Sequence, residues 1–177
     1  MDELVVGGAG VPDDWARIWT PHRMVYIQGE NRPTSADDEC PFCRIVALPD
    51  ESALIVHRGE HAYVVLNLYP YNAGHLLICT YRHVADYTDL TDEEVREIAK
   101  LTQSAMHVLR QASNAQGFNI GINQGGIAGA GIAGHLHQHV VPRWGGDANF
   151  MPIIGRTRAL PALLAETRDL LVANWPL

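Results

Sequence analysis

One long amphipathic helix between short strand-like runs is the feature that most restricts how this chain can fold. Thr91-Asp-Glu-Glu94 has the pattern of a capping box, which starts a helix. Gly117 is typical of the residue that ends one. The residues that share one face at helical spacing are Val95, Ile98, Thr102, Ala105, Leu109 and Ala112. Such a face requires an apolar surface to cover it.

Five strand-like runs supply that surface. They are Ala53 to His57, Ala62 to Asn67, Leu76 to Cys79, Phe118 to Asn123 and His135 to Arg143. We therefore predict an α+β fold in which a five-stranded antiparallel sheet packs against the long helix. A further, C-terminal helix is predicted over Pro161 to Ala173, with the proline in its first turn.

The chain divides into an arm and a single domain. Residues 1–38 combine a Gly-rich start with an aromatic helical face that is interrupted at Pro21, and they predict a partly mobile arm with an aromatic helix. Residues 39–177 are expected to form one domain, because no internal repeat or second boundary is visible. A chain of 177 residues is long enough to bury a core.

Charge and hydropathy exclude several classes of function. A formal net charge of −7 argues against binding of long nucleic acid, which requires a basic surface, but it permits a small anionic ligand. No apolar run reaches the ~18–20 residues of a membrane helix, and the first ten residues do not resemble a secretory signal. An odd number of cysteines with one Cys-x-x-Cys pair argues against a disulfide framework, so we expect a cytoplasmic protein.

Three histidines alternate along the last predicted strand, at His135, His137 and His139. Alternate residues of a strand point to one face, which puts the imidazoles in a row with ~7 Å between neighbouring Cα atoms. Neutral imidazole is a nucleophile near neutral pH, and its cation stabilises charge on phosphate oxygens. A row of them can divide attack, positioning and proton transfer. A metal-binding surface run is the alternative, which the flanking apolar residues disfavour.

A glycine-rich loop over residues 125–134 precedes the histidines. Glycines let backbone amides approach an anion without a Cβ clash, so the loop favours phosphate binding beside the imidazoles. A mobile turn without a ligand is the alternative interpretation.

The histidines and their neighbouring motifs resemble the histidine triad superfamily of nucleotide hydrolases and transferases. The motifs are Asn67-x-x-Pro70-x-x-x-Gly74-His75, Asn123-x-Gly125-x-x-Ala128-Gly129, the triad itself and Pro142-Arg143-Trp144. They occur in the superfamily's order, and the resemblance spans roughly Cys40 to Ile154. The segment 144–150 and the aromatic arm resemble the branch of diadenosine tetraphosphate hydrolases and phosphorylases.

The resemblance implies a role for each matching residue. His137 would attack the α-phosphorus and form a nucleotidyl-histidine, His139 would assist the leaving group, and His135 would complete the catalytic triad. The implied substrate-binding residues are Asn67 at the ribose, His75 beside the triad, Asn123, Ala130 and Gly131 at the phosphates, and Trp144 at the nucleobase or leaving group.

Three positions depart from the superfamily's pattern. Gln138 replaces an apolar residue, but it should point to the face opposite the histidines and leave the chemistry intact. Ala130 and Gly131 replace residues that often carry an amide or hydroxyl side chain. The replacements at Ala130 and Gly131 affect the groups that would hold the outgoing phosphates or an attacking inorganic phosphate.

A zinc site is predicted around Cys40-x-x-Cys43, whose spacing suits tetrahedral zinc. The resemblance implies His83 and His135 as the other two ligands and a structural role for the metal, since four protein ligands leave no position for water. A reduced, buried cysteine pair without metal is the alternative.

The function implied by the resemblance is cleavage of dinucleoside polyphosphates, above all diadenosine tetraphosphate, through a covalent nucleotidyl-histidine. The second product would form by phosphorolysis or hydrolysis. Two alternatives stay open: a nucleoside phosphoramidate hydrolase, and a nucleotide-binding protein with negligible turnover. Members of the superfamily commonly pair, so we expect a homodimer, which the aromatic arm could extend to a tetramer.

Overall fold

One antiparallel sheet organises the fold in this computed structural model, which describes residues 40–147 and 162–176. The spatial order of the strands is β1-β2-β3-β5-β4. The strands are β1 Ile55–Arg58, β2 Ala62–Leu66, β3 Leu76–Thr80, β4 Gly117–Ile122 and β5 His137–Arg143. The predicted α+β class and five-stranded sheet are confirmed. The predicted arm over residues 1–38 and the predicted helix start at Pro161 lie outside the described residues.

Four α-helices accompany the sheet in the described part of the chain. They are α1 Pro41–Ile45, α2 Asp50–Ala53, α3 Asp92–Ser113 and α4 Leu164–Ala173, with 3-10 turns at Tyr87–Asp89 and Gly126–Ala128. The helix α3 begins at the predicted capping box: the Glu94 amide donates to Thr91 Oγ1 at 3.3 Å, and the Thr91 amide donates to the Glu94 carboxylate at 2.8 Å. None of the described helices is long and apolar enough to cross a bilayer.

Several predicted boundaries were wrong for identifiable reasons. The helix α3 ends at Asn114, which takes the left-handed conformation at φ 57°, and Gly117 instead opens β4. Ala53 closes the short helix α2, and strand β1 starts two residues later than predicted. Strand β5 starts at His137 because the Leu136 amide donates to the Val84 carbonyl, outside the sheet.

Both faces of the central strands are covered. Even-numbered residues of β2 and β3 pack against α3, which also buries Leu101 and Val108 beyond the predicted face. Odd-numbered residues pack against the segment 40–54 that carries α1 and α2. The Gln138 side chain donates to Thr102 Oγ1 on α3 at 2.6 Å, so it faces away from the histidines as predicted. The odd-numbered face is therefore the one that carries the candidate chemistry.

The turn between β1 and β2 rests on the carboxylate of Glu97 from α3. That carboxylate accepts the amides of Glu60, His61 and Ala62 at 2.5–2.8 Å. Partial burial opposes its ionisation, but the three amide donors hold the pKa of Glu97 below its usual value. Its contribution to stability is therefore present at neutral pH and is lost as the pH falls through the lowered pKa.

Glu97→Gln is expected to lower the free energy of unfolding at neutral pH by about 1–3 kcal/mol, because charge-assisted bonds to backbone amides are lost. Denaturant unfolding at neutral and acidic pH checks this, and the difference from wild type should shrink on acidification. Glu60→Gln is the matched control, since the Glu60 side chain is 85% exposed. An equal loss in both variants would contradict the assignment.

Candidate functional site

Strand β5 places His137 and His139 side by side on the odd-numbered face. In the ladder with β3, His137 lies opposite Cys79 and His139 lies opposite Leu77. Their ring centroids are 5.1 Å apart, and the Phe42 ring of α1 lies 4.9 Å from the His137 ring. Since alternate residues of a strand share a face, the sheet itself brings these two imidazoles together.

The hydrogen bond of His137 leaves one ring nitrogen available as a nucleophile. Its Nδ1 lies 2.8 Å from the backbone carbonyl of His135. A carbonyl can only accept, so Nδ1 carries the proton and the lone pair of the neutral ring is on Nε2. Burial lowers the pKa of His137, against the opposing effect of this carbonyl bond. The neutral, nucleophilic form is therefore favoured at neutral pH.

His139 is held in the complementary tautomer by a chain of donors. The Tyr71 amide donates to His75 Nδ1 at 3.0 Å, so that nitrogen is an acceptor. His75 Nε2 then carries the proton and donates to His139 Nδ1, 3.0 Å away. The neutral His139 ring consequently bears its own proton on Nε2. The Asn123 side-chain amide lies 3.5 Å away and can accept from this N–H only through its oxygen, since its nitrogen is a donor. The two rings thus present one lone pair and one N–H donor.

Four ligand atoms from distant parts of the chain converge at a candidate metal centre. The potential ligand atoms of Cys40, Cys43, His83 and His135 all lie within 4.8 Å of one another. His135 Nδ1 is 3.4 Å from each cysteine sulfur, and His83 Nδ1 is 3.3 Å from Cys43 Sγ. Bond lengths of about 2.3 Å to sulfur and 2.0–2.1 Å to nitrogen separate tetrahedral zinc ligands by about 3.5 Å. The donor set therefore fits zinc.

His135 contacts the metal cluster with its ring and contacts His137 with its backbone carbonyl. The Nε2 of His135 donates to the Thr80 carbonyl at 2.9 Å, which turns the Nδ1 lone pair of the same ring toward the sulfurs. The ring is buried at 1% exposure. The structure does not bring this ring to the cleft as a third catalytic imidazole, because the cysteines lie where its unprotonated nitrogen points.

The predicted substrate-binding residues divide into two groups. Asn67 and Asn123 lie at the histidines: the Asn67 side-chain nitrogen is 3.2 Å from His75 Nδ1, and its oxygen accepts the Tyr69 amide. Ala130 is buried, and its amide donates to the Gly125 carbonyl at 3.2 Å, closing the glycine loop. That amide bonds within the loop, and the role of Ala130 and Gly131 at the phosphates stays a prediction. Gly131 follows it and is half-buried.

Trp144 lies at the end of the helix α3, and its contact with the nucleobase or leaving group stays a prediction. Its indole N–H donates to the Ser113 carbonyl at the end of α3, 2.9 Å away, and its ring packs on the core between sheet and helix. That core lies on the side of the sheet opposite to His137 and His139.

Two features of the site were missed from the sequence. The Tyr71 ring lies against His75 and His139. Its position within the motif from Asn67 to His75, four residues before His75, was a signal in the sequence. The Asn72 side chain bonds the Pro142 carbonyl and Asp147, which ties this loop to the end of β5. A bidentate bond from Arg143, together with the Trp144 amide, holds the pKa of Asp147 well below its usual value.

Comparison with known proteins identifies a matching family and similar sequences. The HIT domain family profile matches residues 49–146. The AP-4-A phosphorylase of Mycobacterium tuberculosis strain CDC 1551 is 48% identical over 172 residues, which cover 95% of this chain and 88% of that protein. The bifunctional bis(5'-adenosyl)-triphosphatase/adenylylsulfatase of Arabidopsis thaliana is 35% identical over 49% of this chain and 47% of that protein.

The fold has solved counterparts as well. The crystal structure of a zinc-bound histidine triad family protein from Mycobacterium smegmatis superimposes with a TM-score of 0.64 at 31% identity. The match covers 78% of this chain and 94% of that protein. Sequence profile, relatives and fold agree, and the chain belongs to the HIT domain family.

Proposed function

We propose that this enzyme cleaves dinucleoside polyphosphates, with diadenosine tetraphosphate as substrate, through a covalent nucleotidyl-histidine on His137. The observation that carries the proposal is the pair of complementary rings, an Nε2 lone pair on His137 beside an Nε2–H on His139. The substrate class follows from the AP-4-A phosphorylase that is 48% identical over nearly the whole chain.

The first chemical step transfers an adenylyl group to the enzyme. His137 Nε2 attacks the α-phosphorus, a P–N bond forms, and the P–O bond to the bridging oxygen breaks. The N–H of His139 donates to that oxygen as ATP leaves. Dividing one displacement into two easier ones is the catalytic gain of a covalent intermediate.

The second step releases the nucleotide and restores His137. An oxygen of inorganic phosphate attacks the adenylyl phosphorus and the P–N bond breaks, which gives ADP. Water in the same role gives AMP. The name of the M. tuberculosis relative favours phosphate as the acceptor.

We propose zinc as the metal of the Cys40, Cys43, His83 and His135 cluster. When bound, zinc supplies a fixed charge and a closed tetrahedral shell, which is a structural role. The chain's own contribution is to hold His135 so that its carbonyl faces His137 Nδ1 at 2.8 Å. The site thereby connects the metal ligands to the tautomer of the nucleophile.

Product analysis tests the proposed function directly. The purified protein is incubated with diadenosine tetraphosphate, with and without inorganic phosphate, and the nucleotides are separated. We expect ADP plus ATP with phosphate; AMP plus ATP in both conditions would indicate hydrolysis at the same site. An intact dinucleotide together with cleavage of adenosine 5'-phosphoramidate would favour the phosphoramidase. Tight AMP binding without any product would favour a nucleotide sensor.

We also propose a cytoplasmic homodimer. Strand β4 is an edge of the described sheet, and Ile120 at its centre is 46% exposed, which leaves an edge that a second copy can pair with. The cytoplasmic location is proposed because an odd number of cysteines with one Cys-x-x-Cys pair argues against a disulfide framework. Light scattering measures the mass in solution and separates the dimer from the tetramer that the aromatic arm could build.

A further inference from the structure

Tyr71 lies against both histidines on the donor side of the site. Its ring stacks on the His139 ring, with centroids 5.5 Å apart and planes 15° from parallel. The same ring contacts the His75 ring at 4.8 Å. Its backbone amide donates to His75 Nδ1 at 3.0 Å. Tyr71 therefore contacts both His139 and His75, the residue that determines where His139 carries its proton.

Each contact restricts a different freedom of His139. The amide of Tyr71 fixes the tautomer of His75, and His75 in turn places the proton of His139 on Nε2. The hydrogen bond to His75 leaves the ring able to tilt, since the outer torsion of a histidine side chain has a broad energy minimum. A flat ring stacked on one face narrows that tilt and keeps water from the covered face.

We propose that Tyr71 is a positioning residue, which holds His139 so that its Nε2–H meets the bridging oxygen as the leaving group departs. This inference rests on the proposed function. It assigns the effect to the aromatic ring, which phenylalanine retains and leucine does not. Small displacements of a proton donor are costly, because donor and acceptor must meet at hydrogen-bond distance in the transition state.

The neighbouring Tyr69 offers a matched control in the same loop. Tyr69 is 80% exposed, whereas Tyr71 is 45% exposed. None of the ring contacts found among the described residues involves Tyr69. Tyr69→Leu removes an aromatic ring from the loop without touching His139.

The first measurement is the dependence of rate on the leaving group. Wild type, Tyr71→Phe, Tyr71→Leu and Tyr69→Leu are assayed with aryl esters of AMP, from p-nitrophenyl to phenyl, and with diadenosine tetraphosphate. A misplaced donor harms poor leaving groups most. We expect Tyr71→Leu to lose kcat by about 10–100-fold on the phenyl ester and about threefold or less on the p-nitrophenyl ester. The other two variants should stay within about twofold of wild type on every ester.

The second measurement does not depend on turnover. Carbon-13 relaxation of the His139 ring by NMR reports its order on the picosecond to nanosecond scale. We expect the order parameter to fall in Tyr71→Leu and to be retained in Tyr71→Phe and Tyr69→Leu.

The outcomes separate this inference from the proposed function. A uniform penalty across the esters, a rise in KM with unchanged kcat, or an unchanged order parameter in Tyr71→Leu would overturn the positioning role while nucleotide cleavage stands. If the wild-type protein cleaves neither the esters nor the dinucleotide, the proposed function fails, and the relaxation measurement still decides whether Tyr71 orders His139.

Discussion

His137→Asn is expected to lower kcat on diadenosine tetraphosphate by about 10⁴-fold or more, the scale seen when a nucleophile is removed. Asparagine keeps a side-chain N–H that can donate to the His135 carbonyl, the partner of His137 Nδ1, but it offers no nitrogen lone pair to phosphorus. Steady-state kinetics measures the loss. The fold should persist, since asparagine is smaller than histidine and can retain the hydrogen bond to the His135 carbonyl, while the neighbouring Phe42 and His139 rings stay in place.

A trapped intermediate provides the second readout for the same variant. Wild-type protein is quenched with denaturant at alkaline pH, because the P–N bond is acid-labile, and the intact mass is measured. We expect one AMP attached to wild type and none to His137→Asn. His107→Ala changes an exposed histidine on α3 and is the control, with wild-type rate and adduct. A His137→Asn protein within about tenfold of wild-type activity would refute the nucleophile assignment.

Cys40→Ser is expected to release the metal and to destabilise the protein by about 4 kcal/mol or more, the class of effect that follows loss of a bound metal. For a chain of this length the melting temperature should fall by about 8–16 °C. Two causes combine: the segment carrying Cys40 and Phe42 loses its tie to the sheet, and His135 loses the ligand bonds that orient its carbonyl. Metal content per chain and thermal unfolding are measured together.

Cys79→Ala is the matched control for the metal. Cys79 is as buried as Cys40 but does not belong to the ligand cluster, and burial raises the pKa of its thiol, which keeps the sulfur protonated. This variant should retain the metal in full. Zinc below ~0.2 per chain in wild-type protein purified without a tag would reject the site, given how tightly structural sites hold zinc.

The elements were predictable where their signals are local in sequence. The capping box at Thr91 and the two-residue alternation of His137 and His139 are short-range patterns, and the structure reproduces both. The wrong predictions concerned the ends of helices and strands, where more than one neighbouring residue can act as the terminating residue. The helix α3 ends at Asn114 and not at Gly117, because asparagine tolerates the left-handed conformation at a helix end.

The sequence was enough to predict which residues form the candidate site. It was much less informative about how their side chains contact one another. The Cys-x-x-Cys spacing and the resemblance together supplied all four candidate metal ligands, and the structure brings these residues together. Their catalytic and binding roles stay predictions. The surroundings of Trp144 could not be predicted from the sequence, because the residue follows the end of β5 and its indole N–H donates to a carbonyl 31 residues away.

Short-range patterns in the chain were enough to define the strands, the long helix and the two alternating imidazoles, because backbone geometry repeats over a few residues. The different roles of the histidines depend on contacts between residues 40 to 95 positions apart, together with local bonds made by Tyr71 and by the His135 carbonyl. His135 turns to the sulfurs, and His75 and Tyr71 determine where His139 carries its proton. A tautomer depends on which partner faces each ring nitrogen, and only the folded chain brings those partners into place.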